Sequence, residues 1–305
     1  MYLIIGASGM LGGAVARQLL AQGKPVKAMT RTPEKLEELR QLGAQVVQGD
    51  LTIPDSIRSA CEGVEKILAA AHSMMGRGKY RSEAVDDTGQ RHLIDIARKS
   101  GVKHFVYTSI YGAAPDHPID FWRTKYSVEQ HLRSSGMSFT ILRPTAFADF
   151  HAHLLIGKPI LENGKVTLFG VGNAPRNFVT VKDVAEFVEI ALEDPKAKGD
   201  LIEIGGPENL SNQQIVEIYA RLSGRSVKVN HVPLPVLDLI QTMIKPLHPG
   251  LSRIMRASIY VDRYGDRFDP SYTLQKYPKK LTRLEDWVQG KVMISGDPQV
   301  LSTEI

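Results

Sequence analysis

Residues 6–12 read Gly-Ala-Ser-Gly-Met-Leu-Gly and join a short apolar run, Tyr2–Ile5, to an amphipathic run, Met10–Ala21. A second apolar run follows at Pro25–Met29, so the glycine triplet sits inside a strand-turn-helix-strand unit rather than alone. Few folds accommodate that arrangement. The small residue at the strand exit lets the backbone turn sharply, the second glycine lets it approach a pyrophosphate, and the third lets the helix pack closely on the strand. The helix N-terminus then presents backbone N–H groups and a partial positive charge to phosphate oxygens. Gly6, Ser8, Gly9, Met10, Leu11 and Gly12 are therefore the expected phosphate-binding residues of a dinucleotide site. Within the helix, Leu11, Val15 and Leu19 recur at i, i+4 and i+8, one stripe that can bury against a sheet, and Gly23 follows as a C-cap signal.

The pattern repeats down the chain. Gln45–Gln48, Lys66–Ala70, His104–Thr108 and Ser138–Leu142 read as further strands, separated by helical patterns at about Pro33–Leu42, Pro54–Cys61, Ala84–Lys99 and Phe121–Ser135. Alternation of this kind predicts an α/β fold: a Rossmann doubly wound parallel sheet with helices on both faces. After Arg143-Pro144 the alternation breaks, and Gly/Pro-rich stretches appear around Gly157–Pro159 and Gly170–Pro175. Residues 1–150 are thus expected to form the dinucleotide-binding domain and 151–305 a smaller C-terminal α+β substrate region. A strand-helix pair at 177–192 is expected to pack back on the first domain. The later segment holds a strand at Leu201–Ile204, a helix at Asn212–Ser223, a strand at Val227–Val232 and an apolar helix at Leu234–Ile244.

Composition excludes several classes. With 305 residues, 43% hydrophobic and 23% charged, the chain has the profile of a globular protein. Its single cysteine, Cys61, has no intramolecular disulfide partner, and no signal-peptide pattern precedes the first strand, so the expected compartment is the cytoplasm. No run approaches the 18 or so apolar residues of a membrane span. A net charge of +5 suits an anionic small ligand but is too diffuse to imply nucleic acid. His151-Ala152-His153 lacks the i, i+4 spacing of a helical metal pair, and no metal is expected.

The second strand identifies the form of the dinucleotide. An NAD-preferring site carries an Asp or Glu about 20 residues after the last motif glycine, where it accepts from the ribose 2′-hydroxyl. Here the strand runs Ala28-Met29-Thr30-Arg31, with no acid, and Arg31 occupies that place. A guanidinium there can clamp a 2′-phosphate through paired charge-assisted hydrogen bonds, with Lys35 on the next turn as a second cation. NADP(H) is accordingly preferred, with NAD(H) possible. Gly49-Asp50-Leu51 follows the third strand, where the adenine is expected; Asp50 reads equally well as a base contact or as a turn and N-cap residue. Ala70 and its alanine neighbours suit close approach of a cofactor, and His72 ends the fourth strand beside the nicotinamide end, its role open.

These segments resemble the atypical and extended short-chain dehydrogenase/reductases, and within them the NmrA-like group. The resemblance rests on the Gly6–Gly12 turn, Arg31–Lys35, Gly49-Asp50-Leu51, Gly101–Ser109, the Lys125…Glu129…Leu132 helix leading to Arg143-Pro144, and Asn177–Ala185. It implies that Lys125 holds the nicotinamide ribose and that Ser109 orients a substrate carbonyl. The tyrosine acid of that family falls at Phe121, which cannot exchange a proton. Tyr111, on the loop after the fifth strand, is the nearest alternative phenol; Tyr126 points off the Lys125 face.

The expected function is NADPH-dependent reduction of a small apolar or conjugated acceptor such as a quinone, without the usual tyrosine, with Lys125, Ser109 and Tyr111 as catalytic candidates. The competing expectation is a non-catalytic NADP(H)-binding sensor or assembly factor. Residues 234–247 are read as a buried lid helix, with an oligomer interface in a homodimer or peripheral membrane contact through 234–256 as the alternatives.

Overall fold

The computed structural model describes residues 1–295. The described residues form two compact units: Met1–Pro144 with Val184–Glu203 and Lys245–Ile254, and Thr145–Asp183 with Ile204–Ile244 and 255–295.

In chain order the first unit runs β1 (Tyr2–Ile5), α1 (Met10–Ala21), β2 (Val26–Thr30), α2 (Glu37–Gln41), β3 (Gln45–Gln48), α3 (Pro54–Cys61), β4 (Lys66–Ala69), α4 (Gln90–Lys99), β5 (His104–Thr108), α5 (Asp120–Ser134) and β6 (Phe139–Pro144). A strand at Leu201–Ile204 extends the sheet beside β6, and from that edge the order continues β6, β5, β4, β1, β2, β3. The pairs from β3 across to β6 are parallel, with Ile5 opposite both Met29 and Ala69. The order reverses between β1 and β4, and in open sheets of this kind a ligand binds at the carboxyl ends of the strands flanking that reversal.

Side-chain alternation covers the sheet on both faces, as parallel sheets require. Leu3, Ile5, Ile67, Phe105, Tyr107 and Ile141 pack with Ile57 of α3, Leu93 and Ile94 of α4, and Val128 and Leu132 of α5. Their strand neighbours Ile4, Leu68, Val106 and Leu142 point the other way and are fully buried too. On α1, the Gln22 side chain donates to Glu189 of the helix Val181–Glu193 at 3.0 Å.

Several boundaries differ from the sequence reading. Residues Pro33–Leu36 form a 3₁₀ turn before α2, since proline sets the first turn but supplies no N–H. Glu83–Gly89 is a π-helical segment that runs into α4; a Cβ on Gly89 would lie 2.9 Å from the Leu51 carbonyl oxygen, so the wide turn passes very close to the residue after β3.

The second unit has a three-stranded sheet ordered Asn209–Leu210, Arg176–Val179, Ala146–Phe147, and a parallel pair of Lys165–Phe169 with Lys228–Val232. Its core gathers Ile156, Ile160, Phe178, Ile215, Tyr219 and Val288. The helix Leu234–Ile244 is not the buried lid that its apolar composition suggested. Only Leu237 and Gln241, at i and i+4, are buried, whereas Leu239 and Met243 are 63% and 69% exposed. No helix of the described residues is long and apolar enough to cross a membrane.

Candidate active site

The glycine turn lies at the carboxyl end of β1. Gly6 has φ +88°, in the left-handed region that disfavours side chains, and a Cβ there would sit 2.8 Å from the Ala71 backbone nitrogen. At Gly12 a Cβ would meet the Gly6 carbonyl oxygen at 2.3 Å, which no relaxation of a side chain could relieve. Gly9, the N-cap of α1, is extended, and no side chain caps the helix. The first N–H groups of α1, on Met10, Leu11 and Gly12, are therefore left for an anion rather than for Ser8, which is exposed beside them.

At the end of β2, Arg31 is exposed and its guanidinium stacks 4.2 Å from the centroid of the Tyr80 ring. Lys79 lies over the same ring at 4.9 Å, and Lys35 is exposed on the adjoining 3₁₀ turn. Asp50 is committed to a turn: its carboxylate accepts from the backbone N–H and the hydroxyl of Thr52 at 2.9 and 2.8 Å. Those bonds, with the Tyr80 hydroxyl and the Arg31 charge, outweigh partial burial and hold its pKa below the ordinary aspartate range. Leu51 is buried against the π-helical segment.

At the carboxyl ends of β4 and β5 the other candidates converge. On α5, Phe121, Lys125 and Glu129 recur at i, i+4 and i+8 and are all buried. Lys125, 3% exposed, donates from Nζ to the Thr108 carbonyl at 3.0 Å, and its ammonium lies 4.9 Å from the Tyr107 ring and 5.5 Å from that of Phe121. Burial lowers its pKa, and the carboxylates of Asp86 and Glu129 oppose that fall.

Ser109 is not a free hydroxyl. It donates a very short hydrogen bond to Glu129, whose other contacts are two bonds from Arg143 at 2.9 and 2.6 Å. Arg143 also reaches Glu203 at 3.5 Å. Tyr111 sits on the loop after β5, fixed by its N–H to the Pro144 carbonyl and by Trp122 Nε1 donating to its own carbonyl at 3.0 Å.

The loop after β4 is anchored at both ends. Gln90 Nε2 donates to the Ala71 carbonyl at 3.0 Å, and Asp86 accepts from the Ser73 N–H at 2.8 Å and the Ser82 hydroxyl at 2.6 Å. Ala70 and His72 therefore lie on a fixed segment against the glycine turn. His72 is solvent-exposed and meets the Phe121 ring edge-on at 6.3 Å between centroids. Crowding by surrounding protein, then the Lys125 charge, lowers its pKa, against the pull of Asp86.

Tyr80, Asp86, Glu129, Arg143 and Arg253 are the site residues that motif reading did not assign. Glu129 alone had a local signal, four residues from Lys125 on one helix face. Arg253 is brought in by the chain's later return: it donates to both Asp120 carboxylate oxygens at 2.9 Å and to the Met74 carbonyl at 2.9 Å.

The residues present fit a dinucleotide. The glycines are required by backbone proximity and the α1 terminus is uncapped. Two buried oxygens at the sheet edge, Thr108 Oγ1 and Gln90 Oε1, lack a protein partner. Among the described residues no group of three or more His, Cys, Asp or Glu side chains could hold a metal ion.

Known proteins are similar to this chain in sequence and fold. The photosystem II assembly factor Ycf39 of Trieres chinensis is 29% identical over 293 residues, covering 93% of this chain and 90% of that protein. An NAD(P)H azoreductase of Xenophilus azovorans is 29% identical over 228 residues, covering 75% of this chain and 76% of the azoreductase. The structure of the NADPH-dependent quinone oxidoreductase QOR2 of Escherichia coli, complexed with NADPH, matches with a TM-score of 0.76 at 24% identity, over 95% of this chain and 99% of that one; it shows the shared fold. The family model described as NmrA-like family matches residues 2–288, and the chain belongs to that family.

Proposed function

We propose that this chain is an NADPH-dependent reductase of a small conjugated acceptor, a quinone, an enal or an azo compound. The observation that carries it is the joint placement of two features at the carboxyl edge of one sheet. A glycine turn and a basic Arg31 suit a phosphorylated dinucleotide, and a buried Lys125 sits at the reacting end. Gly6, Ser8, Gly9, Met10, Leu11 and Gly12 hold the pyrophosphate, Arg31 and Lys35 the 2′-phosphate, and Asp50 and Leu51 border the adenine. Ala70, His72 and Lys125 border the nicotinamide half.

When bound, the cofactor would supply a hydride. What the protein supplies is position and charge. Lys125, held by the Thr108 carbonyl, would hold the nicotinamide ribose and set a cation toward developing negative charge on the acceptor. Ser109 acts through Glu129 and Arg143, fixing α5 against β6 rather than touching the acceptor. Phe121 offers no proton, which suits acceptors whose reduced form is a stabilised anion. Tyr111 is the weaker catalytic candidate, on the loop after β5 rather than on the Lys125 face of α5.

A second reading, a non-catalytic NADP(H)-binding assembly factor, is favoured by the engagement of Ser109 with Glu129 and by the Ycf39 relatives. Stopped-flow mixing of the protein–NADPH complex with a panel of quinones, enals and azo compounds separates the two. Oxidation by at least one acceptor supports the reductase; tight NADPH binding with no oxidation by any supports the second reading.

A further inference from the structure

We propose that His72 is a catalytic residue whose imidazole N–H donates a hydrogen bond to the acceptor oxygen, the task that the absent tyrosine hydroxyl would otherwise perform. The inference rests on the reductase reading above.

Position is the first argument. His72 follows β4 directly, three residues past the strand that flanks the topological reversal, on the segment whose Ala71 backbone lies against Gly6. Its ring touches Phe121, the residue standing where a tyrosine acid is expected. Any acceptor group aimed at that tyrosine position meets His72 instead.

Preorganisation is the second. The residue before His72 is fixed through the Ala71 carbonyl by Gln90, and the residue after it through the Ser73 N–H by Asp86; the Ser73 hydroxyl also donates to the Tyr80 carbonyl at 2.6 Å. The backbone is thus tied on both sides, yet the imidazole itself takes part in no hydrogen bond with the described residues and is open to solvent. A polar side chain on a fixed backbone at a sheet edge, with no hydrogen-bond partner among the described residues, is suited to an external oxygen.

Charge is the third. The neighbouring Lys125 ammonium and the crowded surroundings favour the uncharged imidazole, which carries one N–H donor and one acceptor nitrogen. A neutral imidazole can polarise a carbonyl in this way, and a nearby ammonium adds to the stabilisation of the oxyanion. A quinone is the simplest acceptor of this kind. Hydride from the dihydronicotinamide reduces the acceptor to the hydroquinone monoanion, the His72 N–H and Lys125 stabilise its oxygen, and a proton from solvent neutralises it as the hydroquinone leaves.

The test compares His72→Leu with His72→Gln, the latter retaining an N–H donor. With a small naphthoquinone, H72L is expected to lower kcat about 100-fold at saturating NADPH, the scale of losing one oxyanion donor, and H72Q to recover most of that loss, with melting temperature unchanged. A second readout is independent of turnover. The wild-type protein–NADP⁺ complex is expected to bind para-nitrophenolate, a mimic of the reduced acceptor anion, about 10-fold more tightly than H72L does, with H72Q close to wild type. Equal affinity and equal kcat in wild type and H72L overturn the proposal, as does a loss in H72Q as large as in H72L. If the wild type oxidises no NADPH while phenolate affinity still depends on residue 72, the reductase reading falls and the anion-binding role of His72 stands.

Discussion

The guanidinium of Arg31 lies 4.2 Å from the centre of the Tyr80 ring, and the Tyr80 hydroxyl meets Asp50 across the end of β2 and β3. Stacking on the ring restricts a long, exposed side chain to one orientation, so less rotamer freedom is lost when a phosphate arrives. On the reductase reading proposed above, the pair presets a surface arginine to receive the 2′-phosphate.

Replacing that arginine separates the two dinucleotides. Arg31→Ala is expected to weaken NADPH binding by about 10- to 100-fold, the loss of paired charge-assisted hydrogen bonds, and to leave NADH binding within about 3-fold of wild type. Tyr80→Leu is expected to reproduce a smaller part of the NADPH effect. Titration calorimetry with both cofactors checks this, and equal losses for the two would remove Arg31 from the 2′-phosphate site.

Glu129 is wholly buried, and it joins Ser109 of the β5 edge to Arg143 of β6. Breaking a buried ion pair by removing one partner leaves the other charge uncompensated, so Glu129→Leu is expected to cost about 3–5 kcal/mol, toward the lower figure because Glu203 remains 3.5 Å from Arg143. Ser109→Ala is expected to cost about 1 kcal/mol. Denaturant unfolding gives both values. If Ser109 touched the acceptor, S109A would instead lower kcat with stability unchanged.

Acid stability should report His104. It is buried in β5 with its ring nitrogens engaged by Ser138, Thr140 and the Ala191 carbonyl, and burial lowers its pKa. The folded state therefore holds the neutral ring, while the unfolded chain takes up a proton near pH 6.5. Its stabilising contribution is full above about pH 6.5 and is lost as pH falls through the folded-state value. Melting temperature is expected to fall with pH between about 6.5 and 5, above the range where carboxylates titrate, and His104→Gln is expected to flatten that slope. An unchanged slope would assign the loss elsewhere.

Arg253, with a side chain 5% exposed, grips Asp120 at the start of α5 and the Met74 carbonyl of the β4 loop. Arg253→Met is expected to free that loop, with amide hydrogen exchange at residues 73–77 faster than in wild type and exchange in β1 and β2 unchanged. Arg253→Lys keeps the charge but not the planar fork, and its exchange rates should fall between the two. Uniform acceleration across the sheet would mean global destabilisation instead.

What could be read in advance follows from where each signal resides. The six strands, α1 and the glycine turn were legible because alternation, helical period and glycine spacing are local patterns. The place of Arg31 at the end of β2 was legible because its distance from Gly12 is set by one βαβ unit. Tyr80 and Asp86 lie in a segment with no strong period, and their partners at Arg31 and Ser73 are brought near only when the sheet forms. Arg253 meets Asp120 from 133 residues away, a contact that no spacing rule anticipates. The helix Leu234–Ile244 misled because hydrophobicity indicates what can be buried, and there only Leu237 and Gln241 find something to pack against.

Hydride transfer from a cofactor held by the glycine turn and Arg31 is open to direct labelling. NADPH deuterated at the transferable position of the nicotinamide, mixed with the protein and a conjugated enal, tests it in one measurement by mass spectrometry of the product. One deuterium is expected on a product carbon, formed with wild type and lost in step with NADPH binding in Arg31→Ala. Tightly bound NADPH that stays unoxidised, with no label in any product across the acceptor panel, would contradict it.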